Sequence, residues 1–190
     1  MLKDLLTENR SCRTFDESRA VTVDELRDMV DCARLTPSSV NLQPLCYRLV
    51  YTDEELAAVQ PLTKWAGALP QLHLPPEGHR PRAFIVICQD TAKFGSADKF
   101  LKDVGICALA IQLRACEMGL AGCMIGSYNK AALASVLKLP ESVVPLLVVG
   151  IGKPDEERRI TEVRDDQTRY YRDETNVHYV PKRSLSDIIL

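Results

Sequence analysis

Arg10-Ser11-Cys12-Arg13-Thr14-Phe15 sets two guanidiniums three positions apart around one hydroxyl, with an aromatic ring behind them. Planar guanidinium forks donate paired hydrogen bonds to phosphate, so this segment can grip an anion; the plainer reading is a solvated pair of surface arginines. A second basic pair, Lys182-Arg183, stands against Ser184 at a predicted helix start, where free backbone N–H groups favour the same ligand. Between them, Pro37 and Pro44 bracket a loop that carries Ser38, Ser39, Asn41 and Gln43, more polar and more rigid than a simple connection requires. Gly119-Leu120-Ala121-Gly122-Cys123-Met124-Ile125-Gly126-Ser127 reads as a glycine-spaced loop able to lay backbone N–H groups against a flat ligand.

Other chemistries fit poorly. No glycine run leads into Lys-Ser or Lys-Thr as in a P-loop, and no strand precedes a Gly-x-Gly-x-x-Gly, so a Rossmann-type dinucleotide site is rejected. No Gly-x-Ser-x-Gly elbow is present, and His73, His79 and His178 stand in loop or hairpin contexts without a nucleophile beside them, which makes them structural or surface residues. Seven cysteines, at 12, 32, 46, 88, 107, 116 and 123, include no Cys-x-x-Cys pair; they read as reduced, buried thiols, and no metal site is expected.

The elements that must position these residues begin with a short amphipathic helix on Leu2, Leu5 and Leu6. Thr22 and Glu25 form a capping box, and Leu26, Met29, Val30 and Ala33 follow at helical spacing, ending before Pro37. Leu45 to Tyr51 reads as a strand, Thr52 and Glu55 as a second capping box, and residues 61–82 as mostly loop. Ala83 to Cys88 and Val143 to Ile151 are buried strands. The longest helix, 98–118, is apolar on every side around Gly105 to Ile111 and therefore predicted to be buried all round, with Gly119 as its C-terminal cap. Asn129 caps a further helix, Tyr170 to Val180 forms a hairpin, and Ser184 caps a terminal helix.

Helices and isolated strands mix without βαβ alternation, which indicates an α+β fold, a central antiparallel or mixed sheet around one buried helix. A fully apolar helix in 190 residues needs covering on all sides, and a homodimer supplies the cover. The chain reads as one domain, 1–190, with an extension from about 155. A net charge of −2 gives no basic excess for nucleic acid. The first residues lack an apolar leader, and the longest apolar window is too short for a bilayer, so a cytoplasmic protein with no membrane partner is expected.

In this order, "NRSCRTF" (9–15), "PSSVNLQP" (37–44), "GLAGCMIGS" (119–127), "LLVVGIGKP" (146–154) and "PKRSL" (181–185) resemble the FMN-dependent nitroreductase family over nearly the whole chain. The resemblance implies an intertwined homodimer with two FMN sites at the interface, and NADH or NADPH as donor to a small-molecule electron acceptor such as a nitroaromatic or a quinone. It implies that Arg10, Ser11 and Arg13 hold the phosphate and ribityl chain, joined by Lys182 and Arg183. Asn9 stands where many members carry another basic residue. Pro37, Ser38, Ser39, Asn41 and Gln43 are implied to line the flavin from the partner subunit. The Gly126 backbone, between Ile125 and Ser127, is implied to face flavin N5, with Lys64 approaching the ring. Arg13, then Lys64, are the candidates for charge at the N1–C2=O edge. No acid–base catalyst is implied. Two alternatives stay open: a non-catalytic flavin-binding or redox-sensing dimer, and a specialised relative that dehalogenates or cleaves a ring.

Overall fold

The capping boxes show how far local chemistry dictates the elements. In the computed structural model, which describes all 190 residues, Met1–Leu190, helix α1 spans Leu2–Glu8 and strand β1 is the short Phe15–Asp16. Helix α2 (Val23–Arg34) starts at Thr22, whose hydroxyl accepts from the Glu25 N–H at 3.2 Å while Glu25 reaches back to the Thr22 N–H at 2.8 Å. Strand β2 (Leu45–Val50) leads to α3 (Asp53–Val59), capped by Thr52 as predicted. Glu55 does not close the second box, because its carboxylate pairs with Arg48 on β2 instead.

Residues 61–82 are loop with two single turns, Gln60–Leu62 and Pro70–Leu72. Strand β3 (Ala83–Asp90), the short α4 (Thr91–Phe94) and the central helix α5 (Leu101–Glu117) follow. Gly119 ends α5 with φ +71°, a conformation only glycine adopts freely. The next segment is strand β4 (Ala121–Ile125), where sequence alone gave a loop. Its Gly122 serves packing: a Cβ there would lie 3.1 Å from Gln112 and 3.2 Å from Ile151. Helix α6 (Lys130–Val136), capped by Asn129, and the long strand β5 (Val143–Pro154) complete the core. Beyond it lie β6 (Arg158–Glu162), β7 (Tyr171–Arg172) and β8 (His178–Lys182). The predicted terminal helix is a single 3-10 turn after Ser184.

The fold is α+β. The main sheet is antiparallel, with β5 at its centre, β1 and β4 on one side of it, and β3 then β2 on the other. Both faces are covered, which explains the unbroken apolar run of β3. Ile85 and Ile87 join Leu26 and Met29 of α2 and Ala108 and Ile111 of α5 on one face. Phe84, Val86 and Cys88 meet Leu56 and Val59 of α3 and Leu133 of α6 on the other. The extension forms a separate ribbon, β6 parallel to β8 and β7 antiparallel to it, that packs chiefly on itself.

Within one chain α5 is not buried all round. Val104, Cys107, Ala108, Ile111 and Ala115 face the sheet, but Leu101, Ile106 and Leu109 are 55%, 40% and 39% exposed, with Gly105 open beside them. The all-apolar pattern therefore divides into a core face and an uncovered face. The cysteines divide too: Cys12, Cys88, Cys107 and Cys123 are buried, Cys32 and Cys116 half-buried, and Cys46 exposed. No helix is long and apolar enough to cross a membrane.

Candidate functional site

The segment 10–15 is laid across the sheet edge by three fixings. The Cys12 N–H donates to the Gly122 carbonyl at 3.0 Å, the Phe15 N–H donates to the His79 carbonyl at 3.0 Å, and the buried Phe15 ring sits where a Cβ on Gly152 would come within 2.8 Å. Arg10 is half-buried, donates to the Leu6 carbonyl, and has an Nε without any partner. Arg13 is 8% exposed. Its Nη1 donates to the Ser11 carbonyl at 3.3 Å and lies 3.1 Å from Nε2 of His178, while the guanidinium stacks 4.5 Å over Tyr170.

The extension thus folds back onto the first arginines, and it brings residues that local pattern did not single out. Arg158 donates to the Arg10 carbonyl at 2.8 Å. Glu156 accepts from the Arg13 N–H at 2.8 Å and is ion-paired with Arg172, both nearly buried. The Tyr170 hydroxyl accepts from the Ala68 N–H at 3.3 Å, tying the extension to the long loop.

His178 is 1% exposed, not a surface residue. Burial first, then the positive charges of Arg13, Arg172 and Arg158, push it down to about 4. The unfolded state, near 6.5, therefore binds the proton first, so the stability His178 contributes is complete above that value and lost as pH falls toward 4. Lowering pH from 7 to 5 should cost the wild type about 2 kcal/mol more than His178→Asn, measured by urea unfolding at both values.

The second group sits at the far end of β4. The Lys64 N–H donates to the Ser127 carbonyl at 2.8 Å, and Thr63 bridges Tyr128. Ile125 is buried, whereas Lys64, Gly126 and Ser127 are exposed, and no atom lies within 4 Å of a Cβ built on Gly126. Lys64 is held in place by Trp65, whose indole donates to Thr63 Oγ1 at 2.8 Å and whose ring lies 2.7 Å from a Cβ built on Gly150. Gly150→Ala should displace that ring and cost about 1–3 kcal/mol, read from the urea midpoint; an unchanged midpoint would show that the ring yields freely. From Gly122 to Gly126 the strand runs about 13 Å, so the arginines and Lys64 mark two ends of one elongated surface.

The proline-bracketed loop lies elsewhere. Ser38 Oγ donates to Asp103 at 2.7 Å, and Ser39 donates to it through its hydroxyl at 2.6 Å and its N–H at 3.0 Å. Both hydroxyls are thus engaged by a buried carboxylate in the first turn of α5, while Pro37, Asn41 and Gln43 remain exposed. Val40, Asn41 and Gln43 hold φ of 45°, 56° and 51°, so the chain is sharply bent there, and the Gln43 amide donates back to Asn41 Oδ1 at 3.3 Å. The loop feeds β2, on the edge opposite β4 and three strand spacings away, about 14 Å. Arg10 belongs to the other end of α5, about 20 Å distant. One chain therefore brings together Arg10, Ser11 and Arg13, and separately Lys64, Ile125, Gly126 and Ser127, but does not bring Pro37 to Gln43 to either.

Lys182 and Arg183 are also apart. They end β8, about 13 Å beyond His178, with Lys182 opposite Glu162 and Arg183 paired to Asp166 at 2.9 Å. Sequence reasoning missed Asp103, Tyr170, Arg158 and Glu156. Only His178, alternating with Val180 on β8, carried a local sign of facing inward. No group of three or more His, Cys, Asp and Glu side chains is arranged to hold a metal ion.

Residues 6–153 match the model of the nitroreductase family. An oxygen-insensitive NADPH nitroreductase of Helicobacter acinonychis is 27% identical over 164 residues, covering 71% of this chain and 78% of the relative. Among solved structures, an FMN-dependent nitroreductase of Clostridium difficile R20291 superposes with a TM-score of 0.66 at 25% identity, over 85% of this chain and 91% of the other. A protein of Exiguobacterium sibiricum 255-15 crystallised in complex with FMN does so at 0.66 and 20% identity, over 82% and 89% of the two chains.

Proposed function

Because the chain belongs to the nitroreductase family, we propose that it is a homodimeric FMN-dependent oxidoreductase that takes electrons from NADH or NADPH and passes them to a small acceptor such as a nitroaromatic or a quinone. The observation that carries this reading is the pairing of a cationic end with an open amide end along β4. Arg10 and Arg13 make no ion pair, and each has a buried Nε without a partner. Buried guanidiniums in that state call for a counter-anion, and the phosphate of FMN meets it. The exposed Gly126 amide and Lys64 stand a strand's length away, where the ring of the same molecule can reach.

When bound, FMN supplies hydride acceptance at N5 and electron delivery to the acceptor. The chain's part is to bind and orient. Arg10 and Ser11 hold the phosphate end. Arg13, fixed by Tyr170 and His178, keeps its Nη2 free of any intrachain hydrogen bond and can place positive charge toward the ring's polar edge; Lys64 adds a second charge. Gly126, between Ile125 and Ser127, offers backbone without side-chain obstruction. No side chain is needed as an acid or base. Donor and acceptor use one cavity in turn, so initial-rate plots should be parallel.

The remaining shell comes from a second copy. The uncovered apolar face of α5 suits a two-fold contact, and antiparallel packing of two α5 helices sets the loop end of one chain beside the arginine end of the other. Pro37, Ser38, Ser39, Asn41 and Gln43 then flank the partner's flavin, with the exposed Asn41 and Gln43 amides, bonded to each other at 3.3 Å in the single chain, turned toward it.

The test is direct. Purified protein should carry flavin absorbance that NADH or NADPH bleaches without oxygen and that a nitroaromatic or quinone restores. A colourless protein that takes up no FMN would overturn the reading, and a yellow one that neither nucleotide bleaches would make it a flavin-binding sensor instead.

A further inference from the structure

Strand β2 is an edge of the main sheet, and its second residue is Cys46. In the register of β2 against β3, Cys46 stands directly opposite Cys88. Residues opposite each other in an antiparallel ladder point to the same face. The flanking pairs agree: Val50 packs with Val86 and Phe84 in the core under α3 and α6, and Arg48, between Cys46 and Val50, turns to Glu55 of α3. Both thiols therefore share that face. Cys88 is fully buried in it, whereas Cys46, nearer the start of its strand, is open to solvent. Opposite Cα atoms in such a ladder lie about 4.5–5.5 Å apart, inside the span of about 4.4–6.8 Å that a disulfide bridges. The thiols also sense each other electrostatically: burial first, and then Cys46, pushes Cys88 up to about 12. Of the seven cysteines, these two alone stand opposite each other on paired strands.

We propose that Cys46 and Cys88 form a modification site, a dithiol that a small organic disulfide oxidises to a cross-strand disulfide. The exposed Cys46 thiolate attacks one sulfur of the small disulfide, forms a mixed disulfide and releases one thiol. The Cys88 thiolate, held opposite, then attacks the Cys46 sulfur and releases the second thiol. Two protein S–H bonds are exchanged for one S–S bond, and their two protons and two electrons leave on the two thiols of the reduced reagent. Closure draws the opposed Cβ atoms together by about 1 Å. Two features permit this. Strand β2 has no neighbour on its outer side, and the register of β3 against β5 shifts between Ile87 and Cys88, so the ladder is already irregular beside the buried thiol. The bond falls two residues after Pro44 and so ties the base of the proline-bracketed loop to the sheet core. The proposal stands whether or not the chain binds a flavin.

Trypsin places the two thiols in separate peptides, Leu35–Arg48 and Ala83–Lys93, neither of which holds another cysteine. The folded protein is incubated with excess oxidised glutathione, remaining thiols are alkylated in denaturant, and the digest is read by mass spectrometry before and after reduction. A glutathione adduct on Cys46 should appear first and give way to the two peptides joined with the loss of two hydrogens, and dithiothreitol should separate them again. Cys46→Ser, a change at an exposed position, should fold as the wild type does, form no such link and leave Cys88 free of glutathione. An adduct on Cys46 that persists while Cys88 stays free would overturn the proposal. So would a link from Cys46 to any other cysteine, a link between two copies of the chain, or no modification of Cys46 at all.

Discussion

Leu109→Glu is expected to yield a folded monomer that no longer retains FMN. Leu109 is 39% exposed in the single chain and lies on the uncovered face of α5 with Leu101, Gly105 and Ile106. Glutamate is a good helix former, so the helix itself tolerates the change. In the dimer the two-fold axis would bring the two copies of this face together and trap carboxylates in an apolar contact, at a cost of several kcal/mol. Sedimentation at micromolar concentration should show wild-type dimer and variant monomer with the same far-UV spectrum. FMN titration should show affinity lost in parallel, because the monomer keeps Arg10, Arg13 and Gly126 but lacks the second chain's Asn41 and Gln43. A monomer that still binds FMN tightly would show that one chain makes the whole site.

Asp103→Ala carries the next largest effect, and it acts on the loop proposed to complete the site. Asp103 is 2% exposed and accepts from both Ser38 and Ser39. Burial alone would raise its pKa, but the hydrogen bonds from Ser39 and Ser38 more than offset this, and the carboxyl sits below its ordinary range. Removing it strands two hydroxyls and an N–H, at a cost of about 3 kcal/mol, and releases the loop that bends Asn41 and Gln43 outward. The urea midpoint should fall accordingly, and FMN affinity should fall with it in the dimer. Asp103→Asn, which keeps one acceptor oxygen, should lie between. Unchanged FMN affinity in a destabilised Asp103→Ala would place the loop away from the cofactor.

These two residues also mark the boundary of what the sequence discloses. Contacts a few positions apart were legible: Thr22 with Glu25, and Asn129 with Ala132. Contacts made by long closure were not. Asp103 is 64 positions from Ser39, and His178 is 165 from Arg13, so no local spacing joins them. Glu55 shows local pattern overruled, since its capping spacing was correct but a half-buried arginine on β2 offered a stronger partner. Gly122 shows composition misleading: glycine spacing suggested a loop, whereas the missing side chain makes room for Gln112 and Ile151 against a strand. The uniform apolarity of α5 pointed to full cover without saying whether that cover comes from the same chain.

A crystal structure of the protein grown with FMN tests the joint site most directly. It should contain one flavin per chain, its phosphate at Arg10 and Arg13, its ring against the Gly126 backbone, and Asn41 or Gln43 of the second chain within hydrogen-bond distance. A flavin held by a single chain, or an interface that leaves the α5 apolar face in solvent, would contradict the account.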